Sequence, residues 1–356
     1  MLIGQLYYRN LHGNYQFRHQ LIDQSAPSHD FVLHIDPLAS YTFGRRPGNL
    51  KHATAKVLAQ LRQQYRKIRL FYSGGIDSHF VLHHCLTNSI PIDEVYSVIK
   101  TPFRDPVLMA LDESVNSAQP FLKQVASQLT GTTIHTPVLD HDFYNNFYSG
   151  DDFWKYSYHM YIIEPSRVCN IIEGLALESD NVCNLVGIDT PFVFWEDGSW
   201  KFCFVDQQFM TEHVSKNFQS IHSLSLQHPE FVEAYVNTVV DQMELYPDYQ
   251  TRFSWNNVLQ SYHSKFIQRM IPELQAINGQ TWGLRFPKSA GVPAPEQCSF
   301  MEKTLHENFR SFIYWPHAVQ EQPAWLNRWI HATDWAWVER CHKFGGVFSD
   351  RFVLHD

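Results

Sequence analysis

The architecture of this chain is set by one continuous segment, Ile68-Arg69-Leu70-Phe71-Tyr72-Ser73-Gly74-Gly75-Ile76-Asp77-Ser78. Its first five residues are mainly apolar and predict a short buried strand. The next six form a glycine-rich turn, which we call the glycine loop (residues 73–78). Residues 79–86 then carry apolar side chains at helical spacing, and Pro91 lies beyond the end of that helix. The segment therefore predicts a strand, a glycine turn and a helix in immediate succession.

The same alternation continues on the C-terminal side of this segment. Strands are predicted over 94–99, 132–138 and 182–186, and helices over 117–129 and 166–178. Strands that alternate with helices of this length are typical of parallel βαβ units. The predicted fold class is therefore α/β, with a parallel sheet flanked by helices and a helical C-terminal region. The helices predicted in that C-terminal region cover 231–243, 255–271 and 326–344.

The N-terminal part of the chain has a different pattern. It reads as short strands and loops, with a strand at 31–36 that Pro37 closes and a helix at 51–66. We therefore expect three regions along the chain. They are an extension of strands and a helix at 1–65, the α/β domain with the glycine loop at 66–212, and a mainly helical substrate or partner region at 213–356.

Composition excludes several classes of protein. The chain has 356 residues, of which 44% are hydrophobic and 18% charged, as in a folded globular protein. A formal net charge of −8 argues against a dedicated duplex-binding surface, although it leaves room for a local basic groove. No window reaches the roughly 18 apolar residues of a membrane span, and the N-terminus lacks the pattern of a signal peptide. None of the 6 cysteines forms a Cys-x-x-Cys pair, so we expect reduced, mostly buried thiols in a cytoplasmic protein.

The glycine loop has the residue types of a phosphate-binding site. Gly74 and Gly75 let the backbone approach a polyanion closely, and the following helix presents free N–H groups and its positive dipole end. The hydroxyls of Ser73 and Ser78 can donate to phosphate oxygens. Asp77 would repel phosphate, so its expected role is to hold Mg²⁺. The loop lacks the Gly-Lys-Ser/Thr of a Walker A motif, and the plain alternative is an ordinary turn between a strand and a helix.

Residues 73–78 match the Ser-Gly-Gly-x-Asp-Ser signature, and the chain resembles the N-type ATP pyrophosphatases, or PP-loop enzymes, which have an adenine nucleotide alpha hydrolase-like fold. The resemblance implies ATP and Mg²⁺ as cofactors. It also implies cleavage of ATP between the α and β phosphates, adenylation of a substrate oxygen and release of pyrophosphate. The expected ATP- and pyrophosphate-binding residues are Tyr72, Ser73, Gly74, Gly75, Ile76, Asp77, Ser78, Val98, Lys100, Arg104 and Gly187.

Within that superfamily the chain is most similar to the synthetase domain of asparagine synthetase. That domain continues with an Asp-Glu pair, a helix that ends in Leu-Gly-Thr, a strand with a histidine, and a Gly-x-Gly-Ala-Asp-Glu segment. The corresponding residues here are Asp112-Glu113, 121–132, Ile134-His135 and 184–191. The similarity covers about residues 66–195 and extends weakly to 290. It implies that Asp189 holds Mg²⁺ together with Asp77.

Three features depart from the asparagine synthetase pattern. Position 2 is Leu2 instead of the cysteine nucleophile of a glutaminase domain, and only 72 residues precede the glycine loop, so we expect no ammonia production from glutamine. The family's acidic pair reads Asp189-Thr190, with one carboxylate missing. The family's late Lys-x-Gly-Phe reads Thr-Trp-Gly-Leu at 281–284, so its catalytic lysine is displaced or lost. The candidates for a catalytic cation are Lys265, Arg285 and Lys288.

Three functions stay open on this reading. The first is an ATP-dependent carbon–nitrogen ligase that adenylates a small carboxylate, which an amine or a partner's ammonia then attacks. The second is a PP-loop enzyme that modifies a nucleobase or tRNA, against which the net charge and the cysteine spacing argue. The third is a non-catalytic nucleotide-binding protein of the same fold. A homodimer is possible in each case, and a metal pair of His79 and His83 is weighed against simple packing of these histidines.

Overall fold

The computed structural model describes residues 6–15, 20–21, 24, 27–100, 114–139, 181–187, 190–205, 221–260 and 346–356. The predicted helices at 166–178 and 326–344 lie outside these residues, as does the helix predicted at 255–271 beyond residue 260. Among the described residues, no helix has the length and apolar character needed to cross a bilayer.

The described elements alternate between strands and helices over most of the chain. The strands are β1 (Leu6–Asn10), β2 (Gly13–Tyr15), β3 (Val32–Ile35), β4 (Phe43–Gly44), β5 (Lys67–Phe71), β6 (Glu94–Tyr96), β7 (Ile99–Lys100), β8 (Thr133–His135), β9 (Val138–Leu139), β10 (Val182–Val186), β11 (Phe192–Glu196), β12 (Ser199–Cys203), β13 (Ile221–Ser223) and β14 (Phe352–His355). The helices are α1 (Asp36–Ala39), α2 (Leu50–Gln64), α3 (Ile76–Thr87), α4 (Gln119–Gln124), α5 (Leu224–Gln227), α6 (Pro229–Met243), α7 (Tyr249–Arg252) and α8 (Trp255–Gln260).

The centre of the fold is a five-stranded sheet in the order β13-β10-β5-β6-β8, and every neighbouring pair in it is parallel. From β5 the chain proceeds outward to β6 and β8 and then returns to the other side of β5, where it forms β10 and β13. The strand order therefore reverses between β5 and β10, as in doubly wound α/β sheets. The predicted α/β class with a parallel sheet and flanking helices is confirmed.

Strands β5 and β10 are almost wholly buried because both faces of the sheet are covered. All five residues of β10 are buried, and so are four of the five in β5. Helix α2 packs on β5, α3 and α6, and its buried residues Val57, Leu58 and Leu61 share one face. Its first turn is capped by the side chain of Asn49, which accepts a hydrogen bond from the backbone N–H of His52.

One ion pair is buried within this sheet. Arg69 is 1% exposed and donates to Glu94 at 2.8 Å and to Asn184 at 3.1 Å, so it joins the three central strands β6, β5 and β10. Burial raises the pKa of Glu94, but the hydrogen bonds from Arg69 and Lys67 outweigh that effect and hold the pKa below its usual value. The positive charge of Arg69 is therefore compensated by the Glu94 carboxylate inside the protein.

The two ends of the described chain pack against each other. Strands β1, β2 and β3 form an antiparallel sheet, whereas β14 pairs with β12 and β4 in a second sheet of order β11-β12-β14-β4. Arg9 donates to both carboxylate oxygens of Asp350 at 2.7 and 2.8 Å.

The described part of the predicted helical region at 213–356 also contains two strands, β13 and β14. Since β13 belongs to the central sheet, that sheet continues beyond the predicted boundary at 212.

Two predicted elements, one strand and one helix, have different bounds in the structure. The strand predicted at 94–99 ends at Tyr96, and residues 99–100 pair instead with 138–139 as the small parallel sheet β7–β9. The helix predicted at 117–129 is the shorter α4, preceded by a π-turn at Ser114–Ala118. Turn residues replace its last part: Thr130 Oγ1 donates to the carbonyl of Ser127, and Gly131 has a φ of +85°.

The described cysteines are structural. Cys85, Cys183 and Cys203 are buried, and none of these three forms a disulfide. Burial raises the pKa of the Cys85 and Cys203 thiols to about 12, so both stay protonated at neutral pH. The expectation of buried thiols is confirmed for these three residues, and Cys169, Cys298 and Cys341 lie outside the described residues.

Candidate functional site

The glycine loop lies where the strand order of the central sheet reverses. It follows β5 directly and leads into α3, whereas the segment after β10 begins at Gly187 on the other side of the same crevice. In open α/β sheets, ligands bind in the crevice at the carboxyl ends of the strands on either side of such a reversal. The topology therefore puts the glycine loop at the expected binding position of this fold class.

The backbone of the glycine loop has a conformation that requires glycine. Gly74 has a φ of +82°, in the left-handed region that a side chain disfavours. Its carbonyl accepts a hydrogen bond of 3.1 Å from the hydroxyl of Ser117, which is buried in the π-turn before α4. The π-turn before α4 therefore supports the glycine loop, although the sequence analysis did not connect the two segments.

Two serine hydroxyls close the glycine loop from inside. Ser73 Oγ accepts a hydrogen bond from the backbone N–H of Gly75 at 3.2 Å and lies 3.1 Å from Ser78 Oγ. Ser78 is 4% exposed, and its hydroxyl lies 3.2 Å from the carbonyl of Gly75, whereas Ser73 is exposed. Both serines were expected to donate to phosphate. In the structure the Ser78 hydroxyl forms its hydrogen bonds within the loop, whereas the Ser73 hydroxyl lies at the surface.

Helix α3 begins three residues earlier than predicted, at Ile76 instead of residue 79. Gly75 precedes the helix with extended backbone, and the first intrahelical hydrogen bond runs from the N–H of His79 to the carbonyl of Gly75 at 2.9 Å. The N–H groups of residues 76–78 thus belong to the first turn, where a helix has no acceptors of its own for them. Together with the helix dipole they make this end of α3 suitable for an anion.

Gly187 brings the second predicted segment against the glycine loop. A Cβ atom built on Gly187 would lie 2.2 Å from the backbone nitrogen of Ser78 and 2.5 Å from the carbonyl carbon of Asp77. Because both neighbours are backbone atoms, no side chain can move aside to make room. Glycine is therefore required here so that the end of β10 can pack directly on the first turn of α3.

A buried pair supports the glycine loop from the sheet side. The hydroxyl of Tyr72, the last residue before the loop, lies 2.8 Å from Nδ1 of His79, and both side chains are at most 1% exposed. The His79 ring also packs edge-on against Phe121, with ring centroids 4.3 Å apart. Burial raises the pKa of Tyr72, which keeps its hydroxyl protonated. Tyr72 was expected to bind ATP, but its side chain lies beneath the loop, and its pairing with His79 could not be foreseen from local sequence.

The remaining predicted site residues are only partly described. Val98 is buried between β6 and β7, and the backbone of Lys100 belongs to β7. The side chains of Ile76 and Lys100 are outside the described part of the structure. The other predicted binding, metal and catalytic residues lie wholly outside it, and these are Arg104, Asp189, Lys265, Arg285 and Lys288.

The residues at the glycine loop fit a nucleotide with its magnesium ion. Asp77 lies in the first turn of α3 and is partly exposed. Among the described residues, no group of three or more His, Cys, Asp or Glu side chains could hold a metal on its own. His79 and His83 therefore have no third described ligand that would complete a metal site. Mg²⁺ keeps several waters and is commonly bound by one or two carboxylates together with substrate phosphates. A single carboxylate such as Asp77 is sufficient for that mode of binding.

A small side pocket opens beside Asp77, on the side of α3 that faces β10 and β13. Several polar residues contribute to its wall, among them Asp77, Thr190, which follows β10, and Ser223, the last residue of β13. The side pocket is half open and has about 30 Å³ of space for water-sized molecules, which is enough for one or two waters or a small polar group. The rest of the wall consists of Leu50, Phe80, Val81, Val186, Gly187, Leu224, Ser225, Phe231 and Tyr235.

Comparisons with known proteins add no assignment. No protein-family model matches the chain, and no curated protein matches it at a significant level.

Proposed function

We propose that this chain is an ATP-dependent carbon–nitrogen ligase that adenylates a small carboxylate and releases pyrophosphate. The observation that carries the proposal is the position of the glycine loop, where the strand order of a parallel sheet reverses, directly before the N-terminus of α3. A left-handed Gly74 and the N–H groups of residues 76–78 offer backbone donors to a polyphosphate at that point. The Ser-Gly-Gly-x-Asp-Ser sequence adds the acid that a magnesium-bound pyrophosphate needs.

The glycine loop would act on the leaving group. The loop contains no lysine, so its own positive potential comes from backbone N–H groups and the helix dipole. These donors are fixed in place by Ser73, Ser78 and Ser117, and preorganised donors stabilise developing charge without having to reorient. Asp77 would hold Mg²⁺, and the ion supplies further charge stabilisation to the phosphate oxygens.

The proposed reaction has two steps that balance. A carboxylate oxygen of the substrate attacks the α-phosphorus of ATP, and the bond from that phosphorus to the α–β bridging oxygen breaks, which releases pyrophosphate. The nitrogen of an amine then attacks the acyl carbon, the bond to AMP breaks, and the nitrogen loses a proton. Lys265, Arg285 and Lys288 are the candidates for neutralising charge during these steps. We place the reaction in the cytoplasm, consistent with the reduced state expected of the cysteines.

The experiment uses ATP labelled at the α-phosphate and identifies the product nucleotide. The full chain is incubated with Mg²⁺, ammonium and a panel of amino acids and small dicarboxylates, beside Asp77→Asn and the control Ser127→Ala, whose side chain is exposed and far from the loop in sequence. The proposal predicts AMP and pyrophosphate that depend on one carboxylate and are lost in Asp77→Asn only. Formation of ADP, or binding of ATP without turnover on any substrate, would overturn it. The second of these results would favour the non-catalytic nucleotide-binding protein.

A further inference from the structure

The side pocket beside Asp77 contains two buried hydroxyls whose hydrogen-bonding capacity is unused within the described part of the chain. Ser223 is 2% exposed and Thr190 is 9% exposed, and neither Ser223 Oγ nor Thr190 Oγ1 has a hydrogen-bond partner among the described residues. A buried polar atom without a partner costs free energy, and such atoms are rare in native proteins. Both residues line the same space next to Asp77. The two hydroxyls therefore indicate a polar group or water that completes their hydrogen bonds.

The ends of two parallel strands fix the Ser223 hydroxyl near the glycine loop. Ser223 ends β13 and is the register partner of Val186, the last residue of β10. Its backbone N–H donates to Oε1 of Gln227 at 2.8 Å, so the main chain at this residue is already held inside the protein. Gly187, directly after β10, packs on the backbone of the first turn of α3. The hydroxyl of Ser223 is therefore presented from a rigid sheet beside the turn that carries Asp77.

Hydrogen-bond acceptors at this place suit the water shell of a magnesium ion. Mg²⁺ dehydrates reluctantly and keeps several waters when a protein binds it. The oxygen of such a water faces the ion, so both of its hydrogens point outward and need acceptors. The hydroxyl oxygens of Ser223 and Thr190 each have two acceptor lone pairs. The side pocket has about 30 Å³ of space for water-sized molecules, which is enough for one or two waters.

The carboxylate and the two hydroxyls would contribute differently to the binding of the ion. The proposed function assigns Mg²⁺ to Asp77, whose negative charge attracts the ion directly. The hydroxyls of Ser223 and Thr190 are neutral, so they contribute orientation and little attraction. Groups in the outer shell of a metal orient its ligands, and the loss of one typically lowers metal affinity or activity by about 10–100-fold.

We propose that Ser223 Oγ and Thr190 Oγ1 accept hydrogen bonds from waters of the hydrated magnesium ion at Asp77. Both residues are then positioning residues for the metal of Mg-ATP. The inference rests on the proposed function, because that function is what places Mg²⁺ at Asp77. It goes further in that it links the ends of β10 and β13, and not the glycine loop alone, to the position of the ion.

The test compares binding of labelled ATP to the full chain in Mg²⁺ with binding in EDTA, by equilibrium dialysis. The ratio of the two dissociation constants measures the coupling between metal and nucleotide. We expect this ratio to fall about tenfold in Ser223→Ala and in Thr190→Val, whereas the affinity in EDTA stays that of the unmodified chain. A merely structural role would instead weaken binding equally under both conditions.

Three control variants accompany the test. Thr190→Ser keeps a hydroxyl at that position and should keep the full ratio. Ser127→Ala and Thr133→Val change exposed side chains and should also keep it. Because Ser223 Oγ has no hydrogen-bond partner among the described residues, Ser223→Ala is expected to unfold at the same temperature as the unmodified chain or at a higher one.

The outcomes separate this inference from the proposed function. An unchanged ratio in Ser223→Ala or Thr190→Val, an equal loss of affinity with and without Mg²⁺, or no effect of Mg²⁺ on the unmodified chain would each overturn the magnesium contact. If a carboxylate yields AMP and pyrophosphate while the ratio is unchanged in both variants, the contact is wrong and the ligase proposal stands. If the ratio falls as expected and no carboxylate yields AMP, the contact stands and the ligase proposal is wrong.

Discussion

Replacement of Gly187 by alanine should damage both the fold and the glycine loop. The added Cβ would lie 2.2 Å from the backbone nitrogen of Ser78, and relief requires that β10 or the first turn of α3 shift by more than 1 Å. Inserting a group into a packed region costs about 1–3 kcal/mol, and we expect about 3 kcal/mol here because the clash is with backbone on both sides. For a chain of this size that lowers the melting temperature by roughly 4 °C.

Two further alanine variants separate stability from ligand binding. A Cβ on Gly48 would lie 2.4 Å from Thr238 Oγ1 and 2.6 Å from its backbone nitrogen, so Gly48→Ala should lose a similar amount of stability at a position away from the loop. Gly13 has nothing within 4 Å of an added Cβ, so Gly13→Ala should stay within about 0.5 kcal/mol of the unmodified chain.

The assay combines urea denaturation with calorimetric titration of Mg-ATP on each folded variant. We expect at least tenfold weaker ATP binding in Gly187→Ala and unchanged binding in Gly48→Ala and Gly13→Ala. If Gly187→Ala were as stable as Gly13→Ala and bound ATP with unchanged affinity, the close packing of β10 on the start of α3 would be refuted. If Gly48→Ala lost ATP binding to the same degree, the effect would reflect general destabilisation instead of the glycine loop.

Three more predictions follow from individual contacts. Ser117→Ala removes the hydrogen bond to the loop carbonyl and should cost about 1 kcal/mol of unfolding free energy in urea, with weaker ATP binding, and an unchanged affinity would contradict the support we assign to it. Glu94→Gln takes the carboxylate from the buried Arg69 and should cost about 3 kcal/mol, whereas a loss below about 1 kcal/mol would show that the pair is not a buried unit. Burial holds the pKa of His84 and His228 at about 4, below the ordinary value near 6.5, so the unfolded chain binds protons between pH 6.5 and 4 that the folded chain does not. The free energy of unfolding should therefore fall as the pH is lowered through this window. Urea titrations at pH 7, 5.5 and 4 measure that fall, which should be smaller in a double variant with His84→Gln and His228→Gln.

The central sheet could be predicted because its strands are recognisable from short, mainly apolar runs in the local sequence. The run at 182–186 is apolar apart from Asn184, and it is β10 with the predicted bounds, buried on both faces. Because such runs alternate with helical segments, only a few arrangements of a parallel sheet are compatible with the sequence. The order of the strands does not follow from local pattern, because it depends on which side of β5 each crossover takes, and only the structure places β10 beside β5.

The strands of the second sheet were missed for a related reason. The hairpin β11–β12 is a local pairing across Asp197-Gly198 that the sequence analysis overlooked. Strands β4, β12 and β14 instead pair with partners far apart in the chain. Their stabilisation comes from long-range pairing and from contacts such as the edge-on packing of Phe43 against Phe202, with ring centroids 4.8 Å apart. Local propensity contains no information about such partners.

The site shows the same division between local and long-range information. The glycine loop was identifiable because two glycines, two serines and an acid within six residues determine the local chemistry. The support from Ser117 and from the Tyr72–His79 pair was not identifiable, since serine, tyrosine and histidine occur in many structural roles. The side pocket was also missed, because its hydroxyls belong to residues that are 33 positions apart in the sequence and meet only where β10 and β13 end.

The central claim is that the glycine loop binds the phosphates of ATP with a magnesium ion at Asp77. The most direct measurement is the equilibrium dissociation constant of ATP for the full chain, with and without Mg²⁺, beside Ser73→Ala, Asp77→Asn and the control Ser127→Ala. We expect one ATP per chain, about tenfold weaker binding in Ser73→Ala, unchanged binding in Ser127→Ala, and a loss of the magnesium dependence in Asp77→Asn. Absence of saturable ATP binding, or binding that neither Ser73→Ala nor Asp77→Asn alters, would contradict the claim.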